Sequence, residues 1–176
     1  VSHELRTPLT AIRLFVETID EYDGAPGQIT LVQAWAEAER EPGVREMLAT
    51  FAERGIRRIV ALRGDLPSGM ADAGEFRYAN ELVAFIRQTT GDWFRIEVAC
   101  YPEYHPQTRN AADEVKNFRK KVDAGANAAI TQYFYNADAY FRFVDECRAG
   151  GITLPIVPGI MPIGSFSKLA RFSDAC

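Results

Sequence analysis

NFRKKVDAGANAAITQYFYN, residues 117–136, joins the end of a helical pattern to the start of a strand pattern through a single glycine. The helical pattern begins near Ala111 and stops before Gly125, and glycine is the residue that most readily ends a helix. The segment AAITQYFY, residues 128–135, then predicts a buried strand. A helix that leads directly into a strand is part of a βα repeat, so this stretch indicates an α/β fold.

The same order of elements recurs on both sides of that stretch. Strand patterns occur at 57–62 (RRIVAL), 94–100 (FRIEVAC) and 154–163 (LPIVPGIMPI), and helical patterns at about 78–89 and 137–149. Strands that alternate with helices about every 30 residues indicate a parallel sheet with right-handed crossovers. Because four βα units are predicted and a closed TIM barrel has eight, the predicted fold class is α/β, a partial (β/α)8 TIM barrel preceded by an amphipathic helix.

Three regions are predicted along the chain. Residues 1–20 carry apolar side chains at helical spacing and predict the amphipathic helix. Residues 21–42 predict a linker and a short helix, LVQAWAEAER at 31–40, which EPG at 41–43 would close. Residues 43–176 are predicted to be the partial barrel. We expect the chain as a whole to be a fragment or a fusion.

The composition argues against several classes of protein. A net charge of −4 offers no positive surface for nucleic acid or an anionic membrane, and no apolar run approaches the roughly 20 residues that a membrane span needs. Three cysteines at wide spacing and two histidines argue against a disulfide framework or a metal site. We therefore expect a cytoplasmic protein without a metal ion.

The first ten residues, VSHELRTPLT, resemble the H-box of sensor histidine kinases. In that family the histidine takes phosphate from ATP, so the resemblance implies that His3 is a phosphoacceptor and that the neighbouring Glu4 increases its nucleophilicity. The second long helix and the ATP-binding domain of that family have no counterpart in the sequence. The alternative function is therefore a phosphoacceptor and dimerisation segment in two-component signalling.

A longer resemblance covers about two-thirds of the chain. GIRRIVALRGDLPSG at 55–69, EVACYPEYHPQ at 97–107 and the opening stretch at 117–136 resemble methylenetetrahydrofolate reductases. That family has a (β/α)8 barrel with FAD at the C-terminal ends of its strands, and the predicted strands match its fourth to seventh. The resemblance implies reduction of 5,10-methylenetetrahydrofolate to 5-methyltetrahydrofolate, with FAD as cofactor and NAD(P)H as co-substrate.

The resemblance also implies roles for single residues. Asp65, at a strand end next to the flavin, would be catalytic because a fixed carboxylate stabilises positive charge that develops on the folate. Substrate contacts would come from Asp65, Gln132 and Phe172, although Phe172 fits a core position in a last helix nearly as well. Glu114 and Lys120 stand where many family members have Asp and Arg. The implied FAD-binding residues are Arg63, Gly64, Asp65, Tyr78, Ala79, Tyr101, His105, Glu114, Asn117, Lys120 and Lys121.

Ordinary structural roles compete with these assignments. RGD could be a solvated turn, RKK at 119–121 a solvated basic face, Tyr101 rim packing and His105 a surface loop residue. The glutamate that acts as general acid on the family's first strand has no counterpart in the sequence. Four strands would also leave two open sheet edges, so we expect a homo-oligomer or aggregate with little folate turnover.

Overall fold

Strands and helices alternate along the chain in the computed structural model, which describes residues 29–33, 41–62, 75–103 and 111–160. Five strands and four helices follow one another among these residues. They are β1 (Ile29–Gln33), α1 (Glu41–Glu53), β2 (Arg58–Leu62), α2 (Ala79–Thr90), β3 (Arg95–Cys100), α3 (Ala111–Asp123), β4 (Ala128–Thr131), α4 (Ala137–Ala149) and β5 (Ile156–Val157).

The strands form one parallel sheet in the order β1-β2-β3-β4-β5, so neighbours in sequence are also neighbours in space. β2 pairs with β3 from Arg58 opposite Arg95 to Ala61 opposite Val98. Each pair of strands is connected through a helix, because parallel strands need a long crossover. All five strands therefore end at the same edge of the sheet.

The apolar core lies between one face of this sheet and the helices. Alternate residues of a strand share a face, and the buried cluster takes Ile59 and Ala61 from β2 and Ile96 and Val98 from β3. Burial of one large apolar side chain stabilises a fold by about 1.5–3 kcal/mol, so this cluster is the main source of stability. The helices contribute Leu48, Leu82, Ile86, Phe118 and Phe143 among others.

The four strands predicted from the sequence are present, but the last two are shorter than their apolar patterns. β4 ends at Thr131, and β5 has two residues. Pro155 and Pro158 stand on either side of β5 and have no N–H to donate to a ladder, which limits its length. The helices predicted at 78–89, 111–124 and 137–149 are confirmed to within one residue at each end.

The short helix predicted at 31–40 is wrong over its first three residues, which belong to β1. β1 pairs with β2 along its whole length, from Ile29 opposite Arg58 to Gln33 opposite Leu62, so the sheet has five strands and not four. A short apolar run fits a helix or a strand equally well, and here the neighbouring strand decides. EPG at 41–43 also begins α1 instead of ending a helix, since proline is well tolerated in a first helical turn.

Several predictions fall outside the described residues. They include the H-box helix at 1–20 with His3, the linker at 21–28, and the last helix near residue 165 with Phe172. Within the described part of the chain, β1 and β5 are the outer strands, and the partial barrel stays a prediction. Among the same residues, none of the helices combines the length and the hydrophobicity that a membrane span requires.

Candidate active site

The C-terminal edge of the sheet gathers the segments that follow three strands. Residues 101–103 follow β3, residues 132–136 follow β4, and residues 158–160 follow β5. In parallel α/β folds this edge carries the binding and catalytic groups, because the loops there converge from several strands. Most of the predicted site residues that the structure describes lie at this edge or on α3 beside it.

Lys121, on the last turns of α3, reaches the end of β3. Its Nζ donates a hydrogen bond to the Ala99 carbonyl at 2.8 Å and lies 5.6 Å from the centroid of the Tyr101 ring. Burial lowers the pKa of Lys121, while the negative charge of Glu114 partly opposes that shift. The ammonium group is thus held in a partly desolvated position against an aromatic ring.

Glu114 lies on α3 two turns before Lys121, and only 3 % of its surface is exposed. Residues seven apart share a helix face, so the carboxylate lies on the same side of α3 as the lysine. The structure therefore brings together Tyr101, Glu114 and Lys121, three of the residues predicted to bind a cofactor.

Lys120 and Asn117 lie on the exposed part of α3. The Lys120 ammonium donates to the Asn117 side-chain oxygen at 3.3 Å, and both residues are exposed. The two adjacent lysines therefore differ in environment, because Lys121 turns toward the strand and Lys120 toward solvent. Of the two lysines, only Lys120 fits the simple description of a solvated basic face.

Tyr78 and Ala79 stand at the start of α2, where Tyr78 is the N-cap residue with extended backbone. The Glu81 carboxylate accepts hydrogen bonds from the backbone N–H groups of Arg77 and Tyr78, at 2.6 and 3.1 Å. This carboxylate fixes the entry into the helix, while the Tyr78 side chain stays 64 % exposed. The ring is accessible for contact with a ligand.

Gln132 follows β4 directly and extends the ladder by one bond, since its N–H donates to the Cys100 carbonyl at 2.8 Å. Its side chain is exposed, and its Oε1 accepts a hydrogen bond from the Tyr133 N–H at 3.0 Å. The amide thus stands at the strand end, where the resemblance places a substrate contact.

One residue at this edge was missed by the sequence reasoning. Glu103 follows β3, and its Oε1 accepts hydrogen bonds from the backbone N–H groups of Tyr135 and Asn136, at 3.1 and 2.9 Å. Nothing in the sequence signals this contact, because the partners are backbone groups more than thirty residues away. Glu103 connects the segment after β3 to the segment after β4.

The two cysteines in the described residues, Cys100 and Cys147, are buried thiols. Burial raises the pKa of Cys147 to about 11 and that of Cys100 still further, so both are protonated at neutral pH. Since the thiolate is the reactive form, neither side chain is a candidate nucleophile. The other predicted site residues lie outside the described residues: His3, Arg63, Gly64, Asp65, His105 and Phe172.

Comparison with known proteins agrees with the longer of the two resemblances. The sequence model of the methylenetetrahydrofolate reductase family matches residues 29–176. The match begins at β1, earlier than the predicted start at residue 43, because β1 belongs to the same sheet. The comparisons lend no support to the resemblance of residues 1–20 to a histidine kinase.

Two relatives show how far the similarity extends. The 5,10-methylenetetrahydrofolate reductase of Pectobacterium carotovorum subsp. carotovorum is 44% identical over 162 residues, which cover 90% of this chain and 51% of the relative. A probable methylenetetrahydrofolate reductase (NADH) of Oryza sativa subsp. japonica is 43% identical over 146 residues, covering 76% of this chain and 25% of that protein. The chain thus spans about half the length of the bacterial relative.

A solved structure supports the fold class. Dihydrodipicolinate synthase from Oceanobacillus iheyensis superposes with a TM-score of 0.52 at 11% identity, over 90% of this chain and 51% of the other. At that identity the likeness concerns the fold alone: the α/β fold of this chain is similar to part of a TIM-barrel-like structure. With the family match over residues 29–176 and the sheet that those residues form, the chain belongs to the methylenetetrahydrofolate reductase family.

Proposed function

We propose that the protein to which this chain belongs reduces 5,10-methylenetetrahydrofolate to 5-methyltetrahydrofolate, with FAD as cofactor and NAD(P)H as electron donor. Family membership supports the proposal, and the rice relative is named as an NADH enzyme. A cytoplasmic location and association into a homo-oligomer stay predictions from the sequence.

The position of Lys121 is the observation that carries this proposal. FAD contains a diphosphate and flat aromatic rings, and the C-terminal edge offers a cation against the Tyr101 ring. A lysine ammonium is a compact countercharge for phosphate, and partial burial strengthens its interaction with an anion compared with a fully solvated charge. Glu114, buried on the same helix face, favours the charged form of the lysine. The chemistry of this group of residues therefore fits FAD.

In this proposal each element of the edge has a separate task. Residues of α3 hold the ribose and diphosphate end of the cofactor, and Tyr78 with Ala79 contact it from the start of α2. Bound FAD would supply hydride transfer, which no amino acid side chain provides. The remaining assignments follow the resemblance: Arg63, Gly64, Asp65 and His105 near the flavin, and Asp65, Gln132 and Phe172 at the folate, with Asp65 stabilising its positive charge.

The partly buried position of Lys121 provides the test. Lys121→Met should weaken FAD binding by roughly tenfold or more, because it removes a desolvated countercharge to the diphosphate. Tenfold in Kd corresponds to about 1.4 kcal/mol of binding free energy. Lys116→Met is the matched control, because Lys116 is an exposed lysine of the same helix to which no FAD contact is assigned. It should change FAD affinity by less than about threefold, since an exposed charge contributes little. Titration of apoprotein with FAD, followed by flavin fluorescence, measures both affinities.

Two results would contradict the proposal. Equal FAD affinity in the parent and the Lys121→Met variant would remove this lysine from the cofactor site. If the longer protein to which this chain belongs shows no flavin absorbance after reconstitution, and no reduction of methylenetetrahydrofolate with NADH or NADPH, the function itself is refuted.

A further inference from the structure

Two segments at the C-terminal edge are connected by a single carboxylate oxygen. Oε1 of Glu103, after β3, accepts hydrogen bonds from the N–H groups of Tyr135 and Asn136, at 3.1 and 2.9 Å. A second, weaker connection runs the other way, from the Arg142 guanidinium on α4 to the Pro102 carbonyl at 3.3 Å. The start of α4 is thus attached to the end of β3.

The first of these connections is stronger than an ordinary loop contact. Hydrogen bonds from N–H groups to a carboxylate are charge-assisted, and Asn136 is the N-cap of α4, where the partial positive charge of the helix favours an anion. The Asn136 side chain accepts the Asp138 N–H at 2.9 Å, so the helix start is already capped without Glu103. Glu103 therefore serves to hold the segment rather than to form the helix.

The segment held in this way carries Gln132. Its N–H donates to the Cys100 carbonyl at one end, and Glu103 binds the other end at Tyr135 and Asn136. Residues 132–136 are consequently attached to β3 at one end and to the segment after β3 at the other. The position of the Gln132 amide depends on both attachments. Among the hydrogen bonds of the described residues, none joins Glu103 to the Gln132 side chain directly.

We propose that Glu103 is a positioning residue for folate, which acts by holding the segment that presents Gln132 to the pterin. This inference rests on the proposed function, in which Gln132 is a substrate contact. Glu103 would affect the folate step more than the reduction of the flavin, because Lys121 belongs to α3 and is bound to the Ala99 carbonyl within β3.

The test compares Glu103→Ala, Glu103→Gln and the control Glu53→Ala in the FAD-loaded protein. Glu53 is an exposed carboxylate at the end of α1, on the opposite edge of the sheet. Glu103→Ala should raise KM for methylenetetrahydrofolate roughly tenfold, while the rate of flavin reduction by NAD(P)H stays within about twofold. Glu103→Gln should keep KM within about threefold of the parent, since one amide oxygen can accept both hydrogen bonds.

The outcomes separate this inference from the proposed function. A parent that reduces folate, with an unchanged KM in Glu103→Ala, would overturn the positioning role alone. The same increase in KM for Glu103→Ala and Glu103→Gln would also overturn it. So would a Glu103→Ala variant in which KM, the rate of flavin reduction and FAD affinity all worsen by the same factor. A parent that binds FAD but does not reduce folate would refute the proposed function, and the positioning of folate with it. Hydrogen exchange of the backbone amides of residues 135 and 136 that is faster in Glu103→Ala, but not in Glu103→Gln or Glu53→Ala, would support the role of Glu103 in holding this segment.

Discussion

Replacing Arg87 with methionine removes the donor that connects two loops at the N-terminal edge of the sheet. From its place on α2, the Arg87 guanidinium donates to the Gly125 carbonyl through Nε and Nη2, at 2.9 and 2.8 Å, and to the Phe94 carbonyl at 2.8 Å. It also reaches the Gly91 carbonyl at 3.1 Å and the Asn127 side-chain oxygen at 2.5 Å. One side chain therefore holds the connections that lead into β3 and β4.

The size of the effect follows from the two partly buried carbonyls. A hydrogen bond to a charged donor contributes about 1.5–3 kcal/mol. Burial lowers the pKa of Arg87, which means that desolvation of the guanidinium offsets part of this gain, so the low end of the range applies. Two carbonyls at that value give a loss of about 3 kcal/mol, and the more exposed contacts contribute less. For a chain of this size, that loss lowers Tm by roughly 6–12 °C.

Urea unfolding followed by circular dichroism measures the change in the free energy of unfolding. Arg87→Lys should lose about half as much as Arg87→Met, because an ammonium keeps the charge but not the planar fork that reaches both carbonyls. Lys116→Met, which removes an exposed charge from α3, is the control and should be nearly neutral. An Arg87→Met variant within about 0.5 kcal/mol of the parent would refute the reasoning.

Two further predictions concern β5 and the buried thiols. A Cβ at Gly159 would overlap the Thr131 carbonyl oxygen, so Gly159→Ala should lower the free energy of unfolding by about 1–3 kcal/mol. Gly150→Ala is the control and should lower it less, because an added Cβ there stays at least 3.3 Å from its neighbours. Equal decreases in the free energy of unfolding, measured in urea, would contradict the steric argument. Burial raises the pKa of Cys147 from 9.0 to about 11, so the unfolded chain releases this proton first and the free energy of unfolding should fall between pH 9 and pH 11. Cys147→Ala should make the free energy of unfolding fall less steeply over this pH range. The same dependence on pH in parent and variant would contradict the prediction.

The elements that could be predicted are those with a local signal. β2 and β3 are short runs rich in branched residues, and α3 is followed by a turn at Gly125, whose positive φ of 111° favours glycine. β1 could not be predicted, because its apolar residues fit two periodicities and its pairing partner lies nearly thirty residues further along the chain. The same reason explains why Glu103 was missed at the candidate site, since its partners are distant backbone groups.

The sequence by itself determined the α/β class, the order of strands and helices from β2 onward, and the motifs that identify the family, because periodicity and helix-ending glycines act over a few residues. Only the tertiary structure decided which polar side chains are buried. Glu97, in an alternating strand pattern, is buried against Arg58 at 2.6 Å, and Lys121 turns toward the Ala99 carbonyl while Lys120 remains exposed. These environments depend on packing between residues far apart in the chain, and no local pattern encodes that packing.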